Sequence, residues 1–372
     1  MDKVLRVGLV GFGAIGKVHA CSVANLPFFY KDCGFSVKIT HVCTSRQETA
    51  EAAAALLGAT AVTDYRAITD NPEIDAVDIA TPNAMHFPIL QAAMQSNKHI
   101  YCEKPLTDNI HEAERIATLL PRYTGVSQVV LQYRFSPPVM RAKQILEEGR
   151  LGQILEFRAH FLHAGSSRPE TVIKPWKLKG GVIADLGSHT LDVVRFLLGD
   201  FDSLAATRHT AYPTRPDGHG GTVPVPTEDN MMVLLRLNNG ADGMVGSSKL
   251  CTGAEDDLQF EINGSDGALR FSGMDPHHLY FYDNTLSDRP IGGFKGWTAI
   301  DCGQRFPEPA SGFPAAKSTI GWLRSHIHSY WNFASHAVEG TPTSPSLQDG
   351  IYLQKVLDAV VRSADSGVRI KI

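Results

Sequence analysis

The segment VLRVGLVGFGAIG, residues 4–16, decides the fold of this chain. Residues 4–10 are mostly apolar and β-branched, which is typical of a buried strand. The glycine-rich turn follows directly, and residues 17–26 continue as a helix. Gly11, Gly13 and Gly16 therefore match the G-x-G-x-x-G pattern in the strand–turn–helix setting that binds dinucleotides.

Each glycine of this pattern has its own task. The first makes the tight turn, the second lets the backbone approach a pyrophosphate, and the third lets the helix pack on the strand. The helix N-terminus adds N–H groups and a partial positive charge for the phosphates. The alternative is that the glycines serve only a tight turn. We predict a dinucleotide loop made of Gly11, Phe12, Gly13, Ala14, Ile15 and Gly16.

Strand and helix patterns alternate as far as residue 135, which predicts a parallel, doubly wound sheet with right-handed crossovers. After residue 135, Asn-Gly and Asp-Gly turns join alternating segments, as in antiparallel hairpins. At 372 residues, two domains are the default. We predict an α/β Rossmann domain over residues 1–130. An α+β domain with a large, mostly antiparallel open sheet is expected over residues 131–372.

Several segment-level expectations can be compared with the structure. Residues 126–135 read as a strand, and residues 209–228 and 284–318 as irregular loops. Thr107–Asp108–Asn109 is expected to cap a helix that follows. The last helix is expected to bury a stripe made of Leu347, Ile351, Leu357, Val361 and Ala364.

Polar residues follow two of the predicted parallel strands. Ligands of such sheets lie outside the carboxyl ends of the strands, so the segments ATPNAMH (80–86) and CEKP (102–105) are expected at the cofactor. A surface ion pair of Glu103 with Lys104, contributing about 0–1 kcal/mol, is the simpler alternative. The residues predicted to contact the cofactor from these segments are Thr81, Pro82, Asn83, His86, Glu103 and Lys104.

The end of the second strand normally distinguishes the two nicotinamide cofactors. An acidic residue there binds the ribose 2′-OH of NAD, whereas a nearby Arg accommodates the 2′-phosphate of NADP. This chain has Ser45 and Arg46 beyond the strand and no acid at its tip. Charge slightly favours tolerance of NADP. Arg46 could equally stack on adenine, so NAD and NADP both stay open.

Asp185 and His189 lie four residues apart in GGVIADLGSHTLDVVRFLLGD, residues 180–200. This spacing places both on one face if the chain is helical. Asp185 would then orient the imidazole, and His189 would exchange a proton near neutral pH. The alternative is a capped helix end with a hydrogen-bonded histidine.

The order G-x-G-x-x-G, TPN, EKP and DLGSHTLDVVRFLLG resembles the glucose–fructose oxidoreductase / inositol dehydrogenase / MocA (Gfo/Idh/MocA) family along nearly the whole chain. The resemblance implies a Rossmann domain and a second domain whose sheet mediates dimers or tetramers. It also implies a catalytic Lys104 from EKP, with Asp185 and His189 as the matching pair. By the same resemblance Trp176 and Lys177 contact the cofactor or substrate, and Tyr133 and Arg134 face the cleft.

Together these residues predict oxidation of a secondary alcohol by NAD or NADP. A nicotinamide cofactor accepts or gives a hydride, so the hydroxyl proton needs a separate base. His189 is the expected base, Lys104 would favour the developing alkoxide, and Asp185 would orient His189 or bind a neighbouring hydroxyl.

The expected substrate is a sugar, glycoside or inositol. Arg158, His160 and His163, with Trp176 and Lys177, suit a polyhydroxylated ring, although solvated strand faces look alike. Residues 24–35, ANLPFFYKDCGF, resemble family members that oxidise the C3 hydroxyl of a glucoside, which is the leading expectation. Substrate contacts are predicted for Lys104, Tyr133, Arg134, His163, Lys177, Asp185 and His189.

Three other functions fit the same pattern. The first is an NAD-dependent glycosidase of this fold, which would release a free sugar without net redox change. The second is a non-catalytic NAD(P)-binding sugar sensor, which would be expected to lack Lys104 or His189. The third is a sugar-for-sugar oxidoreductase that never releases its cofactor.

Composition limits the partners and the compartment. The formal net charge of −4 offers no basic field for nucleic acid or an anionic membrane, and no stretch is apolar enough to span a bilayer. The six cysteines form no C-x-x-C pair and no zinc-like spacing, so we expect thiols, no metal site and a cytoplasmic location. A small-molecule substrate and a homo-oligomer, dimer or tetramer, are the predicted partners.

Overall fold

The computed structural model describes residues 3–31, 33–173, 180–319 and 321–372. The chain divides into two compact units. The first unit comprises Met1–Phe135 and Gln304–Gln354, and the second unit comprises Ser136–Gly303 and Lys355–Ile372.

The first unit is built on a parallel sheet with the order β3-β2-β1-β4-β5-β6 in the described residues. This is the strand order of a dinucleotide-binding doubly wound fold, as predicted. Its strands are β1 (Lys3–Val10), β2 (Phe35–Cys43), β3 (Thr60–Val62), β4 (Ala76–Ile79), β5 (His99–Glu103) and β6 (Ser127–Val130).

The α-helices of the described residues follow the sequence patterns closely at their ends. Gly58, at φ 63°, ends the second helix in the left-handed region that favours glycine. The helices are α1 (Ala14–Phe29), α2 (Gln47–Leu57), α3 (Arg66–Thr69), α4 (His86–Gln95), α5 (Ile110–Leu119), α6 (Pro137–Glu147), α7 (Ser188–Leu198), α8 (Trp322–Glu339) and α9 (Leu347–Ser366). The expected cap of α5 is present, since the Asn109 side chain accepts a hydrogen bond of 3.1 Å from the Glu112 N–H.

Helix α8 completes the core of the first unit. Its residues Tyr330 and Phe333 are fully buried in one apolar cluster with Val7 of β1 and Val42 of β2. Residues Gln304–Gln354 therefore belong to the compact unit of the first sheet. The boundary predicted at 130/131 places residues 304–354 in the second domain, because this segment is far in the sequence from the strands that it covers.

The second unit is built on a mixed sheet with the order β16-β15-β14-β13-β7-β12-β11-β8-β17. Only the β7–β12 pair is parallel among the described pairs of this sheet, so the predicted, mostly antiparallel sheet is confirmed. Its strands are β7 (Ile154–Leu162), β8 (Phe201–His209), β11 (Asn230–Leu237), β12 (Asp242–Ser248), β13 (Asp257–Gly264), β14 (Gly267–Ser272), β15 (His278–Asp283), β16 (Trp297–Asp301) and β17 (Ile370–Lys371). A separate small sheet pairs β9 (Thr214–Pro216) with β10 (Thr222–Pro224).

Four local expectations differ from the structure. Gln132–Phe135 form a 3-10 turn after β6 instead of continuing the strand. Both predicted loops contain short strands, β9 and β10 in the first and β16 in the second, because edge strands need little apolar alternation. In α9, Val361 and Ala364 are only partly buried, and Val356 and Val360 are fully buried in their place.

In the described parts of the chain, no helix combines the length and the apolar character needed to cross a membrane.

Candidate active site

The glycine-rich loop lies between β1 and α1 and has the geometry of a dinucleotide loop. Gly11 has φ 98°, and a Cβ on it would come within 2.4 Å of the Ala80 carbonyl oxygen, so only glycine fits. A Cβ on Gly16 would come within 2.2 Å of the Gly11 oxygen, which explains the close packing of helix on strand. A Cβ on Gly13 would meet no protein atom within 4 Å. The space for a pyrophosphate is therefore beside Gly13, at the N-terminus of α1.

Ser45 and Arg46 are exposed at the end of β2. Arg46 is the N-cap of α2, and its carbonyl oxygen accepts hydrogen bonds from the Thr44 and Thr49 hydroxyls at 3.0 and 2.9 Å. These contacts fix the backbone and leave the guanidinium on the surface. The Arg46 side chain is thus available to the adenosine end of a cofactor.

His86 joins the two predicted segments at the strand ends. Its Nδ1 lies 2.9 Å from the Pro105 carbonyl oxygen and its Nε2 lies 3.0 Å from the Thr81 carbonyl oxygen. Burial lowers the pKa of His86, although the two carbonyl oxygens oppose this shift. Because the ring is fully buried and both nitrogens face backbone oxygens, this geometry gives His86 a structural role and does not favour direct cofactor contact.

Glu103 ends β5 inside the first unit and is not part of a surface ion pair. One of its oxygens, Oε1, lies 3.1 Å from His19 Nε2, and the other, Oε2, accepts a 3.1 Å hydrogen bond from the Lys104 N–H. Burial alone would raise the pKa of Glu103, but the hydrogen bond from His19 and the charges of His19 and Lys104 lower it. Glu103 is therefore a buried carboxylate that holds the Lys104 backbone.

Lys104 itself is half-buried at the turn after β5. Thr81 and Asn83 are half-buried and Pro82 is exposed at the neighbouring turn after β4. Strands β4 and β5 are adjacent and parallel, so both turns lie at the same edge of the sheet as the glycine loop.

Tyr133 and Arg134 lie in the 3-10 turn that follows β6. Tyr133 is half-buried, whereas Arg134 is buried and donates a 3.2 Å hydrogen bond to the Ser344 hydroxyl. The Arg134 guanidinium is also 3.8 Å from Asp349. These partners anchor Arg134 within the first unit. The substrate contacts of Tyr133 and Arg134 remain predictions.

Asp185 and His189 lie in the second unit on one continuous helical segment. A five-residue π-helix, Ile183–Gly187, contains Asp185 and leads directly into α7, which contains His189. Such π segments are rare and occur often at functional sites. The Thr190 hydroxyl anchors this segment, since it lies 2.9 Å from the Ser247 hydroxyl of β12 and donates to the Leu186 carbonyl.

The sequence did not point to Lys249, which lies directly after β12. Its Nζ forms a 3.0 Å ion pair with Asp185, and its side chain is only 5% exposed, whereas that of Asp185 is 30% exposed. The one available signal was a lone lysine in SSKL at the end of an apolar run. Asp185 is therefore a partly exposed carboxylate paired with a buried cation.

The histidines near His189 in the sequence lie in different places. His189 is buried, and its ring centroid is 6.0 Å from that of Phe161 of β7. Arg158 and His160 alternate with the buried residues of β7, so they lie on the opposite face of the sheet from Phe161. Arg158 and His160 therefore match the alternative of a solvated strand face. His163 follows the strand and accepts a 2.8 Å hydrogen bond from the Gly165 N–H at Nδ1.

The predicted contacts of Trp176 and Lys177 lie outside the described residues.

Two family models match the chain. The oxidoreductase family model with an NAD-binding Rossmann fold matches residues 5–130, and the GFO/IDH/MocA C-terminal domain matches residues 139–270.

Similar proteins cover the chain from end to end. Levoglucosan dehydrogenase of Pseudarthrobacter phenanthrenivorans is 31% identical, over 97% of this chain and 96% of that protein. Inositol 2-dehydrogenase of Rhizobium meliloti is 26% identical, over 99% of both. A solved structure of levoglucosan dehydrogenase with NADH and levoglucosan has a TM-score of 0.91 and 30% identity, covering 100% of both chains. The chain belongs to the Gfo/Idh/MocA family of oxidoreductases, and its first unit carries the family's NAD-binding Rossmann fold.

Proposed function

We propose that this protein is an NAD-dependent dehydrogenase that oxidises a secondary hydroxyl of a sugar, glycoside or inositol. The observation that carries the proposal is the similarity to a sugar dehydrogenase along 97% of the chain. The geometry supports it, since the glycine loop leaves space for a pyrophosphate beside Gly13 and Asp185 presents a partly open carboxylate.

Bound NAD supplies the hydride acceptor, and the residues of the chain manage the proton and the charge. His189 takes the proton of the reacting hydroxyl as general base. The Lys104 ammonium favours the developing alkoxide on the same oxygen. Asp185 binds a neighbouring hydroxyl or orients His189, and its ion pair with Lys249 holds it in place.

The leading substrate is a glucoside or related sugar oxidised at C3. The resemblance of residues 24–35 to members with this activity supports it, as does the similarity to an enzyme named for levoglucosan. Tyr133 and His163 are the proposed additional substrate contacts, because both are only half-buried.

The experiment is a screen of levoglucosan, glucosides, inositols and free hexoses, with the absorbance of NADH or NADPH as the readout. Oxidation of one of these compounds with formation of NADH is expected. A free sugar released without net NADH would instead identify a glycosidase. Nucleotide that stays bound through purification, with turnover only when a second sugar is added, would identify a sugar-for-sugar oxidoreductase. Tight nucleotide binding with no turnover would favour a sensor.

For the cofactor, we propose NAD with some tolerance of NADP. The tolerance would come from Arg46, which is exposed at the end of β2. Replacing Arg46 with Ala should weaken NADP binding more than NAD binding. Equal changes for the two cofactors would show that Arg46 does not read the 2′-phosphate.

We further propose that the protein is a homo-oligomer, assembled through the uncovered face of the second sheet. Met232, Leu234 and Met244 on β11 and β12 are 62%, 53% and 45% exposed, and Leu234 is directly opposite Met244 in the strand pairing. Exposed contiguous apolar groups on a sheet face are typical of protein interfaces. Light scattering coupled to gel filtration should show a dimer or tetramer, and Leu234→Lys should shift it toward monomer. An unchanged mass for Leu234→Lys would reject this face as the interface.

A further inference from the structure

His19 is a buried histidine of α1 that no part of the proposed reaction uses. It lies three residues after Gly16 of the glycine loop, and it contacts two carboxylates from separate strands. We propose that His19 is a positioning residue that fixes the Glu103–Lys104 turn to the dinucleotide-binding helix α1. The proposal rests on the proposed function in taking Lys104 as the catalytic lysine.

The geometry around the imidazole is specific. His19 Nδ1 lies 2.7 Å from Asp78 Oδ1 of β4, and Nε2 lies 3.1 Å from Glu103 Oε1 of β5. The side chains of His19 and Asp78 are 0% exposed and that of Glu103 is 8% exposed. A neutral imidazole has one N–H and could satisfy only one of these carboxylates. The doubly donating imidazolium satisfies both, so His19 is a buried cation between two buried anions.

The other groups that face His19 do not compete for this charge. Tyr101, Tyr330 and His326 have ring centroids 5.1, 6.3 and 6.4 Å from that of His19. Burial raises the pKa of both tyrosines well above the ordinary value and lowers that of His326 to about 3. All three are therefore neutral near pH 7. Burial alone would lower the pKa of His19, but Asp78 and Glu103 raise it to about 10.

The connection to Lys104 runs through a single carboxylate. Glu103 Oε1 faces His19, and Glu103 Oε2 accepts the hydrogen bond of the Lys104 N–H. Because His19 holds Oε1 of Glu103, the direction of Oε2 is fixed. The backbone of Lys104, which donates to Oε2, is fixed with it. Without His19 the carboxylate can rotate, and the Lys104 N–H loses its fixed acceptor. The nucleotide phosphates meet the N-terminus of α1 instead, so their binding should depend much less on His19.

The test compares His19→Gln, Glu103→Gln and the double variant with the wild type. Fluorescence titration with NADH counts the nucleotide sites, and turnover is expressed per site. His19→Gln should retain NADH binding and lose about tenfold to 10²-fold in kcat, since displacement of a reacting group by about 1 Å can cost 10²-fold. The double variant should lose no more kcat than the more impaired of the two single variants, because both changes interrupt the same connection.

His328→Gln is the matched control. His328 is another buried histidine of the first unit, and its Nδ1 lies 2.6 Å from the Tyr30 hydroxyl, away from Glu103. Its replacement should lower Tm but leave kcat per NADH site unchanged. A loss of kcat in His19→Gln that His328→Gln does not share is a positioning effect and not general destabilisation.

A second readout does not require activity. Hydrogen exchange of the backbone segment that contains Lys104 should become faster in His19→Gln, and it should not change in His328→Gln. Wild-type kcat and unchanged exchange in a folded His19→Gln would overturn the proposal. If His19→Gln does not fold, unchanged exchange at Lys104 in Glu103→Gln would overturn it. Absence of polyol oxidation by the wild type would reject the proposed function alone, because the exchange measurement would still decide the role of His19.

Discussion

The charged residues of the two predicted motifs are stabilised in different ways. In the first unit, Glu103 belongs to a cluster with His19 and Asp78 that solvent barely reaches. In the second unit, Asp185 is paired with the buried Lys249 and is itself 30% exposed. Buried charges cost several kcal/mol of desolvation unless they are well paired, whereas a partly solvated carboxylate can still exchange partners. The first arrangement suits positioning, and the second suits contact with a substrate.

The largest effect is expected from His189→Ala in the second unit. Loss of the general base should lower turnover about 10²–10⁴-fold, while NADH binding by the first unit stays intact. Steady-state kinetics and NADH titration measure the two quantities separately. Turnover equal to that of the wild type would show that the helical segment with Asp185 and His189 does not supply the base. The assignment of substrate contact to the charged residues of the second unit would then be rejected.

A large difference in stability is expected between two matched Asp→Asn variants. Asp78→Asn leaves the His19 cation buried with one carboxylate, and breaking a buried pair costs about 3–5 kcal/mol. Asp185→Asn also removes a carboxylate from a buried cation, Lys249, but it should cost less than Asp78→Asn because solvent reaches the Asp185 end of that pair. Denaturant unfolding measures both. Equal losses would mean that exposure does not separate the two sets of charges.

The stability of the first unit should also depend on pH through His19. Its pKa is raised from 6.5 to about 10, because the charges of Asp78 and Glu103 outweigh the burial that lowers it. A raised pKa means that the stabilisation is complete below pH 6.5 and is lost as the pH rises through about 10. Tyr101, Tyr330 and Cys102, whose pKa values burial raises well above the ordinary range, do not titrate in this window.

Thermal unfolding across this pH range is the measurement. The wild type and His328→Gln should both lose stability toward high pH, and His19→Gln should lose this part of the slope. A His19→Gln slope that is identical to that of the wild type would show that His19 is not the cation of the cluster.

The smallest effect is expected from Lys249→Met, which removes the Lys249–Asp185 ion pair but keeps an apolar stem of similar length. Asp185 loses a hydrogen bond from a charged group, worth about 1.5–3 kcal/mol, so kcat/KM should fall about tenfold. NADH affinity should not change. A kcat/KM equal to that of the wild type would limit Lys249 to a purely structural ion pair.

The sequence predicts the first sheet well because its signals are local. Gly11 and Gly16 have no room for a side chain, and Asn109 caps α5 with its own side chain. The buried strands β1 and β5 read as short apolar runs between turns. Each of these features can be recognised within about ten residues, which is the range over which periodicity and capping act.

Helix α8 shows why other parts could not be predicted. Its buried face carries polar residues, and these are paired with partners that are far away in the sequence. The Ser329 hydroxyl lies 2.9 Å from the Tyr101 hydroxyl, and the Ser329 carbonyl accepts from Gln128. These polar residues interrupt the apolar stripe of Ile327, Tyr330 and Phe333, so the stripe is hard to recognise in the sequence although the helix lies in the core.

The same reason hides the partners of the candidate site. His19 meets Asp78 and Glu103 across 59 and 84 residues of sequence, and Lys249 meets Asp185 only through the arrangement of the second sheet and the π-helix. No periodic pattern encodes such a pair. The sequence allowed Lys104, Asp185 and His189 to be recognised as candidate catalytic residues. It did not reveal His19 and Lys249, which form hydrogen bonds or ion pairs with the residues of the site.

The π-helix at Ile183–Gly187 has a consequence for how this protein tolerates changes in length. A π turn contains one residue more than an α turn, and each residue of an α-helix advances by about 100° around the axis. Deleting a single residue between Asp185 and His189 would let the segment relax into regular α-helix. The residues on either side of the deletion would then keep nearly the same angular relation, because the α turn needs one residue fewer than the π turn. A one-codon deletion inside the π turn is therefore expected to be tolerated, whereas the same deletion within regular α7 would rotate the residues on its two sides by about 100° relative to each other.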